Sequence, residues 1–164
     1  MSWLRRLFGG SRSEGEKGPT RTDADFLAGL SRQGKVKVSN LNPLIYQCIL
    51  KEKSGEDAPA MIGDEAAFAL LRKLSVAELE RLQQSVECGQ KADRAGSDMR
   101  RAAALYKKAA ELNPYNSLAL LSYGVALANL GDLRKGIKSV KQALKVDPGN
   151  ERIRSNLKGM KADL

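Results

Sequence analysis

A chain of 164 residues can hold one domain with its own core, and 42% apolar and 29% charged residues are ordinary for a globular protein. Aromatics are scarce at 5% while Ala and Leu are common, which favours helices over strands. The formal charge of +9 sits at the two ends, with 12 Lys/Arg against 5 Asp/Glu over residues 101–164 and 5 against 2 over residues 1–22; charge alone therefore admits an acidic protein, a nucleic acid or an anionic membrane as partner.

The chain opens on a short amphipathic segment, residues 1–8, with Trp3, Leu4, Leu7 and Phe8 on one side and Arg5 and Arg6 on the other. Such a segment suits an anionic membrane surface or a partner's groove; the alternative is a frayed terminus without a role. Arg5 and Arg6 interrupt the apolar stretch, so it does not read as a secretory signal, and Ser2 excludes N-myristoylation. No apolar run approaches the roughly 20 residues needed to span a bilayer. The expected location is cytoplasmic, with peripheral attachment at the inner face of a membrane as the alternative.

Residues 9–21 combine Gly, Ser, Pro and charge with no apolar residue, which predicts a flexible linker. Thr22 and Asp25 in capping-box-like spacing open a helix to Gln33 with Phe26, Leu27 and Leu30 on one face, stopped by Gly34; Lys35–Val38 reads as a short extended piece. Asn40-Leu-Asn-Pro43 opens the next helix, whose apolar residues are Leu44, Ile45, Cys48, Ile49 and Leu50. A Gly-, Asp- and Pro-rich loop runs from Ser54 to about Gly63. A helix over Asp64–Leu74 follows, with Ala67, Phe68, Leu70 and Leu71 apolar, and Ser75-Val-Ala-Glu78 is a capping box that starts another.

From there the chain repeats itself. Asp98-Met99-Arg100 matches Asp132-Leu133-Arg134 at a spacing of 34, as Ala102 matches Gly136, Tyr106 matches Val140, Lys107 matches Lys141 and Ala109 matches Ala143. At the same spacing Leu112-Asn113-Pro114 matches Val146-Asp147-Pro148, and Asn116 matches Asn150. A period of 34 residues ending in a proline-containing turn resembles the tetratricopeptide repeat family. The resemblance extends to Leu120-x-x-Tyr123-Gly124-x-x-Leu127 with Leu130-Gly131 and, at an offset of 35, to Ser85-x-x-Cys88-Gly89-x-x-Ala92 with Ala95-Gly96. The family's Trp is replaced by Leu120 and Ser85, and its later Ala by Gly136 in the second unit. Gly89 and Gly124 are expected to let paired helices approach closely, and Pro114 and Pro148 to end the second helix of each unit. After Pro148, Asn150 can cap a last helix with Ile153, Leu157, Met160 and Leu164 in one stripe and Arg152, Arg154, Lys158 and Lys161 outside it.

The resemblance implies an all-α fold: a short right-handed helical solenoid of helix-turn-helix units, extended by N-terminal non-repeat helices. Two units and a cap fall short of the about three repeats that a stable stack needs. The helices at 40–53 and 64–74 are therefore expected to cover the open face of the first unit. The organisation predicted is residues 1–8 as the amphipathic segment, 9–21 as linker, 22–79 as N-terminal helices packing on the array, and 80–164 as repeats plus capping helix.

In that family the first helix of each unit lines a concave surface. Carried onto this chain, the protein-binding positions are Leu118, Leu121, Val125, Ala128 and Asn129 in the second unit, and Gln83, Val86, Gln90, Asp93 and Arg94 in the first. An apolar strip with polar borders suits an amphipathic helix or an extended peptide; the alternative is that the chain's own N-terminal helices cover it. Where one subtype of the family carries a Lys/Asn/Lys/Arg clamp for acidic chaperone tails, this chain has Val86, Gln90, Ser122, Arg152 and Asn156, and Arg152 alone fits. Arg134, Lys138, Lys141 and Lys145, with Lys135 beside them, form a basic stripe that reads as a solvated outer face, with docking of phosphates or acidic protein as the alternative. The stripe lacks the interleaved aromatics that would support nucleic-acid binding.

Catalysis finds no support in these residues. There is no histidine for general base work, and neither a phosphate loop nor a nucleophile elbow. The two cysteines, Cys48 and Cys88, lack metal-ligand spacing and read as buried, unreactive fillers. The expectation is a non-enzymatic adaptor or assembly factor for a protein partner, with no cofactor or metal. The alternative is a peripheral membrane protein that recruits through its N-terminal segment and basic faces.

Overall fold

The structure is a computed structural model and describes residues 41–53 and 64–164. Expectations for the amphipathic segment with Trp3, Leu4, Leu7 and Phe8, the linker 9–21, the helix over 22–33, the extended piece at 35–38 and the loop at 54–63 lie outside these residues. Among the described residues all regular structure is helical, in the order α1 (Leu41–Lys53), α2 (Asp64–Arg72), α3 (Val76–Asp93), α4 (Met99–Leu112), α5 (Ser117–Asn129), α6 (Leu133–Val146) and α7 (Glu151–Ala162).

Local chemistry explains the boundaries. Ser75 and Glu78 close a reciprocal capping box, Glu78 N–H donating to Ser75 Oγ at 3.2 Å and Ser75 N–H to the Glu78 carboxylate at 2.8 Å. Asp98, Asn116, Asp132 and Asn150 cap the four helices that follow, each accepting from backbone N–H groups of the first turn that would otherwise lack partners. Gly96 and Gly131, at φ of 59° and 92°, turn the chain between the first and second helices of each unit in a conformation that a side chain would strain. At the other end of each unit, Pro114 and Pro148 follow the last helical residue by two positions. Helix α2 stops at Arg72, two residues short of the expected Leu74, and Lys73 and Leu74 form the turn into the capping box.

Consecutive helices from α3 onward pack on one another, most extensively α5 on α6 and α3 on α4 within the units, then α4 on α5 between them. The cores differ along the array. Leu121, Ile137, Val140, Ile153, Leu157 and Met160 make an aliphatic core where α5, α6 and α7 meet, whereas Cys88, Ala109 and Ala119 make a small-residue contact where α3, α4 and α5 meet. Leu164 lies past the end of α7 and is 70% exposed, so the expected apolar stripe ends at Met160.

The close helix crossing is α5 over α6. A Cβ added at Gly124 would sit 2.6 Å from the Gly136 carbonyl oxygen, and one at Gly136 would sit 2.5 Å from the Gly124 carbonyl oxygen. The expectation for Gly89 is corrected: a Cβ there would meet nothing within 4 Å, because its α-carbon faces a cavity rather than a neighbouring helix. Gly136, read above as a departure from the family's Ala, is the partner that makes the tight crossing possible.

Helix α1 buries Leu44, Ile45, Cys48, Ile49 and Leu50 and packs on α2 and α3. It runs along the edge where the first helices of the units begin, touching one repeat-equivalent residue at each. Lys51 pairs with Glu78 at 3.1 Å at the start of α3, Gln47 accepts from the Asn113 side chain ahead of α5, and Tyr46 donates to Asp147 at 2.7 Å ahead of α7. Asp147 is 2% exposed, and its Oδ2 also accepts from Ser117 Oγ at 3.2 Å and Asn150 Nδ2 at 2.9 Å, so the buried carboxylate is solvated by the protein itself. Burial first, then the bond to Asp147, raise the Tyr46 phenol above its ordinary pKa of 10.0. Helix α2 packs chiefly on α1, so cover for the first unit comes from α1 at its edge.

Candidate functional site

The concave side of the array carries two adjoining cavities of about 240 and 270 Å³ that share Tyr106, Ser122 and Arg152. One end is bounded by Val86, Leu118 and Ala119, the other by Met99, Val125 and Ala126. Leu118 and Val125 are seven positions apart on α5, which puts the two apolar ends about 10 Å from each other. Between them Tyr106 donates to Asp93 at 2.6 Å and is also hydrogen-bonded by Ser122. Burial, then the Asp93 bond, push the Tyr106 phenol up to about 12, so it stays protonated. The groove thus has a polar centre, with Asp93, Tyr106, Ser122 and Arg152 among its lining, and apolar residues at either end.

The expected groove residues divide into three groups. Val86, Gln90, Asp93, Leu118, Val125 and Asn129 line the cavities. Leu121 borders one of them but is only 2% exposed and belongs to the aliphatic core, so it is a wall from behind rather than a contact surface. Ala128, Arg94 and Gln83 do not line the groove. Ala128 packs against the aliphatic core, where its backbone nitrogen would stand 3.3 Å from a Cβ on Gly136; Arg94 is the exposed C-cap of α3; Gln83 is buried and bonds Glu87. The five clamp-equivalent positions, Val86, Gln90, Ser122, Arg152 and Asn156, all line the groove.

Two contributors were not legible in the repeat pattern. Tyr106 comes from α4, a second helix, and lines both cavities. Gln47 comes from α1 and forms part of the rim, so the N-terminal helix borders the groove without filling it. For Tyr106 the signal was present as an aromatic facing Val140 in the repeat alignment, a larger side chain where its counterpart is core.

The other sequence candidates are placed as follows. Cys48 and Cys88 are free and buried, and burial pushes the Cys48 thiol up to about 12, which suppresses the thiolate. Among the described residues no group of three or more His, Cys, Asp or Glu side chains could hold a metal ion, and no helix is long and apolar enough to cross a membrane. Of the basic stripe, Lys135, Lys138 and Lys145 border a larger cavity of about 610 Å³ on the outer side, between α4 and α6.

Residues 94–160 match the family model described as tetratricopeptide repeat, from the C-cap of α3 to the last turns of α7, which is less than half of the chain. Comparisons with curated proteins and with solved structures gave no match.

Proposed function

Because residues 94–160 form a tetratricopeptide repeat domain, in general a protein–protein interaction module, we propose that this protein is a non-enzymatic adaptor or assembly factor that holds a segment of another protein in its concave groove. The observation that carries the reading is the groove's layout: apolar pockets at Leu118 and Val125 on either side of the Asp93–Tyr106–Ser122 centre. Apolar anchors set about 10 Å apart match residues two turns apart on one face of a helix. With one carboxylate and one guanidinium in its lining, the groove favours a partner segment of low net charge. A single clamp-equivalent cation, Arg152, does not suit an acidic tail.

The test uses residues that are exposed and outside the core. Leu118→Asp together with Asn129→Arg changes both ends of the groove, and Leu118 is 44% exposed, so the melting temperature should not move. The immobilised full chain is expected to capture from its native host's lysate a protein that this double variant does not retain. Equal capture by both forms would remove the groove from the account.

A further inference from the structure

Helices α4 and α6 both pack on α5 but have little contact with each other, leaving a trough of about 610 Å³ on the outer side of the array. Its floor is the half-buried face of α5, Leu120, Tyr123 and Leu127, and one end is closed by Val146. Leu120 also packs against the aliphatic core, yet Leu120, Tyr123 and Leu127 all stay partly exposed, which leaves apolar surface at the floor of the trough. The rim is basic. Lys107 and Lys135 are engaged by Glu111 at 3.7 Å and Asp132 at 2.6 Å, while Lys138 and Lys145 on α6 have no carboxylate partner among the described residues.

We propose that this trough is a second binding surface, distinct from the concave groove, that takes an acidic amphipathic helix of a partner protein. Lys138 and Lys145 are two turns apart on one face of α6, a separation of about 10 Å. A helix lying alongside α6 presents carboxylates at that separation on one face, with apolar residues between them turned to Leu120, Tyr123 and Leu127. An extended segment does not fit as well, because residues about 10 Å apart along a strand point to opposite sides. A flat bilayer cannot reach a floor recessed between two helices, and phosphates alone would leave that floor uncovered. Charge complementarity and shape therefore select the same occupant.

The probe is a fluorescently labelled Ala/Leu helix of about 14 residues carrying glutamates two turns apart on one face. Saturable binding to the full chain, read by anisotropy, is expected to weaken about tenfold or more in Lys138→Glu/Lys145→Glu, with the circular dichroism spectrum unchanged. The same peptide with lysines in place of glutamates should bind that reversed variant and not the original. Leu118→Asp/Asn129→Arg should leave the affinity where it was, so that failure of the trough and failure of the concave groove are separable. Absence of binding, equal affinity in the charge-reversed variant, or lysine-dependent flotation with phosphatidylglycerol vesicles in place of peptide binding would each overturn the proposal.

Discussion

The two helical hairpins, α3–α4 and α5–α6, share a topology and turn chemistry but are held together differently. In α5–α6 the helices meet backbone to backbone at Gly124 and Gly136, backed by an aliphatic core. In α3–α4 the corresponding positions are Gly89 and Ala102, Gly89 meets nothing, and a buried hydroxyl does part of the joining: Ser85 Oγ donates to the Ala109 carbonyl at 2.7 Å and accepts from Asn116 Nδ2 at 2.9 Å. The second hairpin also has a hydroxyl link, but from the opposite helix, Ser139 Oγ to the Leu120 carbonyl at 2.7 Å. The same repeat period thus accommodates a crossing at backbone contact and a looser one without it, each with a hydroxyl link between its helices. The looser hairpin opens its first helix to the concave groove, and Gly89 lies on that wall.

The edge braced by α1 shows the same gradient, and there the largest effect is expected. Ahead of α7 the edge holds Asp147, which accepts three side-chain hydrogen bonds while buried, whereas in the first turn of α3 it holds Glu78, which makes a solvent-accessible ion pair. Asp147→Ala strands the donors of Tyr46, Ser117 and Asn150 and should lower stability by about 2–4 kcal/mol in urea denaturation. Asp147→Asn, which keeps an acceptor oxygen, should cost less. An equal loss in both variants would mean that the charge rather than the acceptor matters.

Alanine at the two equivalent glycines should have effects of opposite sign. Gly124→Ala forces a methyl against the Gly136 carbonyl and Val140, and is expected to destabilise by about 1–3 kcal/mol. Gly89→Ala meets open space within α3 and should stabilise by about 0.5–1 kcal/mol through the lower helix entropy cost. Melting curves that shift the same way for both would dissolve the distinction between the hairpins.

The smallest effect concerns the first rung of the edge. The Ser75 backbone N–H first, then Lys51, lower the Glu78 carboxyl from 4.5 to about 2. A folded-state pKa below the unfolded value contributes stability above pH 4.5 that is lost as pH falls toward about 2. Across that window the melting temperature of Glu78→Gln should fall less steeply than that of the original chain. Parallel acid limbs would show the capping box and ion pair to be energetically silent, as exposed pairs often are.

Much of the fold was legible from local chemistry. Ser75, Asp98, Asn116, Asp132 and Asn150 announce helix starts because a side-chain oxygen there satisfies the first-turn N–H groups whatever the rest of the chain does. The repeat phase followed from residues matched at 34, and the buried faces of α1 and α7 from their apolar spacing. The site was less legible. Val86, Gln90, Leu118, Val125 and Asn129 are on the groove, but Leu121, one turn from its neighbours Leu118 and Val125, faces inward, because the rotation of a helix within its packing contacts is not set by its own sequence.

The helix starts were thus determined by sequence alone, since each depends on groups within a turn of one another, and the repeat period was legible in residues matched at a spacing of 34. The tertiary structure decided which glycine meets a backbone, that Tyr106 crosses from a second helix into the groove, and that α1 braces residues 78, 113 and 147 along one edge. It also turned part of a basic stripe into the rim of a trough. The physical reason is common to all of these: they depend on how far apart helix axes come to rest, and that distance follows from the side chains of several helices packing at once.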